Sequence, residues 1–156
     1  MPRITTSIHG NAFCSEQYRP LFGYDLVGNY VQTGAAADWG DARGWGRTFT
    51  LSGWYHVAIR TPMYVDGQAY YLDEVIILHS KSDRMVFDEV HLYIAGSFIW
   101  RGVSDIPPPN LLFRPRQEGG ARFQTNGGVG VSLHFSNTGG PDDFVTFRGA
   151  TATFTD

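Results

Sequence analysis

Apolar and polar residues alternate along this chain with a period of two almost everywhere, and almost nowhere with a period near 3.6. In "ITTSIHGNAF", Ile4, Thr6 and Ile8 fall on one side, and Thr5, Ser7 and His9 on the other. Such alternation is the signature of a strand with one buried face. "YDLVGNYVQ" reads as a further strand. In "RTFTLSGWYHVAIRTP", Tyr55, Val57 and Ile59 predict a core face opposite Trp54, His56, Ala58 and Arg60. Pro62 ends that strand because it cannot donate to a ladder.

In "MYVDGQAYYLDEVIILHSKS", Asp66-Gly67 predicts a two-residue hairpin. The run Val75 to Leu78 is apolar on both faces and predicts a central strand. "MVFDEVHLYIAGSFIWRG" predicts a strand pair turning near Ala95-Gly96. In its first half Val90, Leu92 and Ile94 oppose Glu89, His91 and Tyr93. "GVGVSLHFSN" sets Val129, Val131, Leu133 and Phe135 against Gly130, Ser132, His134 and Ser136, and "FVTFRGATATFTD" forms the last strand. Two stretches, "TGAAADWGDARGWGRT" and "DIPPPNLLFRPRQEGG", read as long loops. Trp39 and Trp45 give the first a reason to fold back on the body, and Pro107 to Pro109 hold part of the second extended.

Nine or ten strands at short spacing, with no fixed-period repeat, predict an all-β single domain over residues 1–156. The expected architecture is a jelly-roll-like β-sandwich, with a closed β-barrel as the alternative. A chain of 156 residues buries enough apolar surface to fold without a staple. Cys14 is the sole cysteine, so no internal disulfide forms.

The chain carries 12 basic and 15 acidic residues, for a net charge of −3, which argues against phosphate-driven nucleic-acid binding. Arg114, Arg116 and Arg122 are the only basic cluster, read as a solvated loop or an anion-binding rim. No apolar run is long enough to span a membrane, and no secretory signal is visible, so a cytoplasmic location is expected.

Some motifs resemble those of a group of small bacterial all-β proteins of unknown function. They are the His9-Gly10-Asn11 box, the Trp-aromatic-His-x-Ala-Ile-x-Thr-Pro strand from Trp54 to Pro62, the Val90-His91-Leu92-Tyr93 strand and the glycine-alternating "GVGVSLHF". Arg60 stands where that pattern carries proline. The resemblance implies a compact β-sandwich and carries over no catalytic residues, since none are established for the group.

Three functional classes fit. The leading one is a non-enzymatic, lectin-like binding module for a carbohydrate or a protein partner. With 11 Phe, 8 Tyr and 4 Trp, the chain has rings to spare for stacking on sugars. The candidate ligand-binding residues are Trp39, Asp41, Arg43, Trp45, Trp54, Arg60, Trp100 and Asn110. A second class is a structural protein that assembles into a homo-oligomer through aromatic surface and exposed edges. The third is a small jelly-roll enzyme. His56, His91 and His134 with Glu89 supply the ligand types of a divalent-metal site, although no tight His-x-His pair occurs. The leading reading needs no cofactor. In Asp73-Glu74 and Asp88-Glu89, simple alternation sends neighbouring carboxylates to opposite faces, and Asp142-Asp143 reads as a solvated turn.

Overall fold

The computed structural model describes residues 3–15, 22–24, 30–32, 41–43, 46–62, 64–65, 67–95, 97–102, 110–115, 123–124 and 128–156. Among them the only helical segment of three or more residues is one 3-10 turn, Gly10–Ala12. In chain order the strands are β1 (Arg3–His9), β2 (Cys14–Ser15), β3 (Phe22–Tyr24), β4 (Tyr30–Gln32), β5 (Asp41–Arg43), β6 (Gly46–Phe49), β7 (Gly53–Ile59) and β8 (Tyr64–Val65). They continue with β9 (Gln68–Ala69), β10 (Tyr71–Lys81), β11 (Met85–Ile94), β12 (Ser97–Gly102), β13 (Asn110–Phe113), β14 (Phe123–Gln124), β15 (Val129–Asn137) and β16 (Val145–Thr155).

Two antiparallel sheets contain most of these strands. Sheet A runs β13-β10-β16-β6-β5, with β1 also on β16 and β14 on β10; sheet B runs β12-β11-β15-β7-β2. The chain shuttles between them: β6 lies in A, β7 in B, β10 in A, β11 in B, β15 in B and β16 in A. This is the expected jelly-roll-like sandwich. The alternative is not met, because the described sheets are open and form no closed barrel.

The core lies between the sheets, where the alternating apolar positions of both meet. Tyr55, Val57 and Ile59 are buried, as are Leu133, Val131 and Val129 opposite them and Phe135 opposite Gly53. Phenylalanines dominate the contact. Phe87 of sheet B meets Phe113 of sheet A with centroids 6.1 Å apart, and Phe135 meets Phe147 at 5.8 Å. Phe13 stacks on Phe147 at 4.2 Å. Much of the aromatic surplus in the composition is therefore spent on packing, not on a ligand surface.

Several expectations change. Both stretches read as loops contain strands: Asp41–Arg43 and Asn110–Phe113 lie on sheet A, and Leu111 and Phe113 are buried in the core. Four residues of alternation beside three prolines are too short a signal to stand out. The Val75–Leu78 run is central by pairing, between β13 and β16, but its outer residue Leu78 is exposed. The expected hairpin joins β8 and β9, with Val65 opposite Gln68 and Gly67 at φ 77°; Asp66 lies outside the described residues. Ala95 takes φ 50° after β11, where the expected turn leads into β12.

The central strand of sheet A shows how tightly the sequence is fitted. β16 pairs along its full length with β10 on one side. On the other side β1 covers Gly149 to Thr155 and β6 covers Val145 to Phe147, so the two lie end to end. Gly10 and Gly46 meet at that junction, both against the Phe147 carbonyl. This gives a physical reason for glycine in the His9-Gly10-Asn11 box.

Candidate functional site

The outer face of sheet B carries the polar and aromatic residues that alternation places opposite the core on β7, β11 and β15. Register fixes three rows across β11, β15 and β7. Glu89, His134 and Trp54 form the first; His91, Ser132 and His56 the second, continued by Arg101 on β12 and Cys14 on β2; Tyr93, Gly130 and Ala58 the third, with Phe98 beyond Tyr93. The three histidines expected on polar faces thus share one face.

Trp54 sits between two of them. Its ring centroid lies 4.5 Å from that of His91 and 5.0 Å from that of His134. His91 is also 5.2 Å from Phe98, which is 54% exposed. The result is an aromatic stripe crossing the sheet from β12 to β7. Behind it lies a shallow cavity of about 220 Å³ lined by Trp54, His56, His91, Tyr93 and Ser132. Ser132 is small between larger neighbours, so it forms the floor.

Hydrogen bonds hold the rings in place. His134 Nδ1 lies 2.6 Å from Asp88 Oδ2. An ionised carboxylate only accepts, so Nδ1 donates in this bond, and in the neutral ring Nε2 is the acceptor. Ser136 Oγ donates to the same oxygen at 2.5 Å. His56 Nδ1 lies 2.7 Å from Ser132 Oγ. Glu89 holds Arg101 at 2.9 Å and stands 3.6 Å from His91 Nε2.

Here the simple alternation expected of the carboxylate pairs is corrected, and the register shift between Leu72 and Glu74 breaks it at Asp73-Glu74 as well. Asp88 and Glu89 do not face opposite ways. A β-bulge between Phe87 and Glu89 admits one extra residue, and both carboxylates reach the imidazoles of the outer face. The placement of Asp88 has a direct check. At a pH where imidazoles are neutral, nitrogen NMR should report the Nδ1–H tautomer for His134, and Asp88→Ala should convert it to a mixture. An unchanged spectrum would remove Asp88 as the orienting group.

As metal ligands, His56, His91, His134 and Glu89 share the face without converging. Trp54 separates His91 from His134, and two Nδ1 atoms are engaged by Asp88 and Ser132. Among the described residues no group of three or more His, Cys, Asp or Glu side chains stands where it could hold a metal ion.

The candidate ligand-binding residues disperse. Trp54 lies at the centre of the stripe. Arg60 is exposed just past β7, and its carbonyl accepts from Thr6 Oγ1 at 2.7 Å. Trp100 turns inward on β12 and packs on the core 6.1 Å from Phe113. Asn110 is exposed on β13, and Asp41 and Arg43 lie on β5, at opposite edges of sheet A. Trp39 and Trp45 lie outside the described residues, so the expectation that their rings bring the loop back onto the body does too.

Other polar groups serve the fold. Arg114 is exposed and paired with Glu74 at 3.1 Å; Arg116 and Arg122 lie outside the described residues. Asp143 accepts from the Gly140 N–H at 3.0 Å, tying the "TGGPDD" turn together. Sequence reasoning missed Asp88, Tyr93, Ser132, Ser136 and Phe98 as members of a site. Tyr93, Ser132 and Ser136 stood beside the histidines on the polar faces, and only strand order brings them together; Asp88 joins them through the bulge, which simple alternation does not predict.

No family model and no curated protein sequence matches the chain. Among solved structures, the CBM36-1 domain of a multidomain xylanase from the hindgut metagenome of Trinervitermes trinervoides is similar to it. The likeness spans 96% of each chain, with 9% identity and a TM-score of 0.42. A likeness of that degree carries no argument about the site. No helix among the described residues is long and apolar enough to cross a membrane.

Proposed function

We propose that the protein is a non-enzymatic binding module that takes a carbohydrate on the outer face of sheet B. The observation that carries this reading is the Trp54 indole, set between His91 and His134 at the wall of a cavity floored by Ser132. Sugars present apolar ring faces edged with hydroxyls, and an aromatic wall beside hydroxyl and imidazole groups matches both. The rings are fixed by packing and by hydrogen bonds to Asp88 and Ser132, so little side-chain freedom is lost on binding.

The test is a glycan array followed by calorimetry on the sugars retained. Trp54→Ala should weaken binding by about 2 kcal/mol, roughly thirtyfold, as for truncation of a central aromatic anchor. Trp100→Phe, altering an inward-facing ring, should change affinity little. Equal affinities for Trp54→Ala and the unaltered protein would sink the reading, and so would an array with no retained sugar.

A further inference from the structure

The Trp54 cavity does not stand alone. A second one, of about 330 Å³, adjoins it and shares His56 and Ser132. Its character differs. Ala12, Ala58 and Gly130 line it, with Val57, Val131 and Cys14, so beyond the shared pair it offers no ionised or strongly hydrogen-bonding side chain except the thiol.

The reason lies in the register. In the third row, Tyr93 is followed by Gly130 and Ala58, two of the smallest side chains, which lower the surface beside the taller second row. Gly130 could carry a Cβ, 3.5 Å from Tyr93 Cβ in ordinary contact, so the sheet itself does not demand glycine there. The trough thus runs from an aromatic, hydrogen-bonding end at β11 to a smooth apolar end at β2. The two centres lie about one to two strand spacings apart, roughly 5–10 Å.

We propose that the ligand is a glycoside bearing an apolar aglycone, with its sugar against Trp54 and Ser132 and its aglycone laid over Gly130, Ala58 and Ala12. This rests on the carbohydrate reading and adds the ligand class. A bare sugar would leave the apolar half of the trough wet. An alkyl or aryl substituent excludes that water and contributes affinity in proportion to the surface it covers.

Matched methyl and n-hexyl β-D-glycosides of glucose, galactose and xylose, kept below micelle-forming concentrations, test it by calorimetry on the full chain. n-Hexanol serves as the head-free control. For whichever sugar binds, the hexyl form should bind about tenfold more tightly than the methyl form, the gain from burying about two methylenes. Ala58→Glu, at an exposed position, should abolish that gain and leave the methyl glycoside within about twofold. Ala12→Glu, outside the sheet, gives the same reading should Ala58→Glu disturb folding.

Equal binding of methyl and hexyl forms would overturn the aglycone proposal while leaving the carbohydrate reading intact. A gain that survives both glutamate variants would overturn it too, by placing the tail elsewhere. Hexanol binding as tightly as the hexyl glycoside would show that no sugar is recognised. If none of the glycosides binds, the carbohydrate reading fails for these sugars and the proposal fails with it.

Discussion

Gly10→Ala should destabilise the protein by about 3 kcal/mol or more, lowering its melting temperature by roughly 10 °C for a chain of this size. A Cβ at Gly10 would stand 2.0 Å from the Phe147 carbonyl oxygen and 2.8 Å from the Arg148 carbonyl carbon. Both are backbone atoms of β16, the strand flanked by β10 on one side and by β1 and β6 on the other, so neither can swing aside as a flexible side chain would. Relief requires moving the 3-10 turn, and with it the buried Phe13, off its stack with Phe147.

Gly46→Ala should cost a similar amount. Its Cβ would lie 2.2 Å from the same oxygen, and its φ of 152° is one that side chains resist. Because the two substitutions press on one carbonyl, the double variant should lose less than the sum. Gly140→Ala, with nothing within 4 Å of the added carbon, is the control and should stay within about 0.5 kcal/mol. Thermal unfolding followed by circular dichroism measures all four. A Gly10→Ala protein melting within 2 °C or so of the parent would mean that the junction is not tight.

The second large effect is on pH dependence. His79 lies on the inner face of β10, 1% exposed, among Val75, Ile77 and Phe135, and neither ring nitrogen makes a hydrogen bond of normal geometry. Burial lowers its pKa from 6.5 to about 4; the Ile77 backbone acts weakly in the opposite sense, and Lys81 adds slightly to the lowering. In the unfolded chain the ring binds a proton near pH 6.5, whereas in the fold it does so only near pH 4. Between those values the unfolded state holds more protons, so stability is full above the unfolded value and falls as pH drops toward the folded one. The loss amounts to about 3 kcal/mol.

His79→Leu should remove that slope. At neutral pH it should leave stability equal or somewhat higher, since two unsatisfied nitrogens go and a similar volume remains. Denaturant titrations at several pH values across this window decide the matter. A His79→Leu protein with the parent's acid slope would place the proton uptake on other groups.

How much of this was readable beforehand depends on which residue is asked about. Core faces were legible wherever alternation ran unbroken, as at Tyr55, Val57 and Ile59. The bulges were legible in principle. Phe87 and Val90 are separated by three positions, as are Leu72 and Val75, and each step breaks the period of two at a carboxylate pair. His79 was legible too, because continuing Val75 and Ile77 by two lands on it. Strand order was not legible. That His56, His91 and His134 share a face depends on β15 lying between β11 and β7, and no local pattern encodes that neighbourhood. Trp100 turns inward for a related reason: a register shift between Leu92 and Tyr93 changes the phase of β12, so proximity in the chain says little about which face its ring takes.

The placement of β16 also bears on how the molecule comes into being. Thr5 and Thr153, whose hydroxyls meet across β1 and β16, are 148 positions apart in the chain. During synthesis β1 and β10 wait, with Ile4, Ile8, Val75 and Ile77 unpaired on that side, until almost the whole described length has left the ribosome. Loop closure is then costly before any contact rewards it, which predicts folding on the millisecond-to-second scale of all-β domains. A nascent chain stalled before Val145 would present β1 and β10 as open templates, making this the interval in which a cell's chaperones matter most to it.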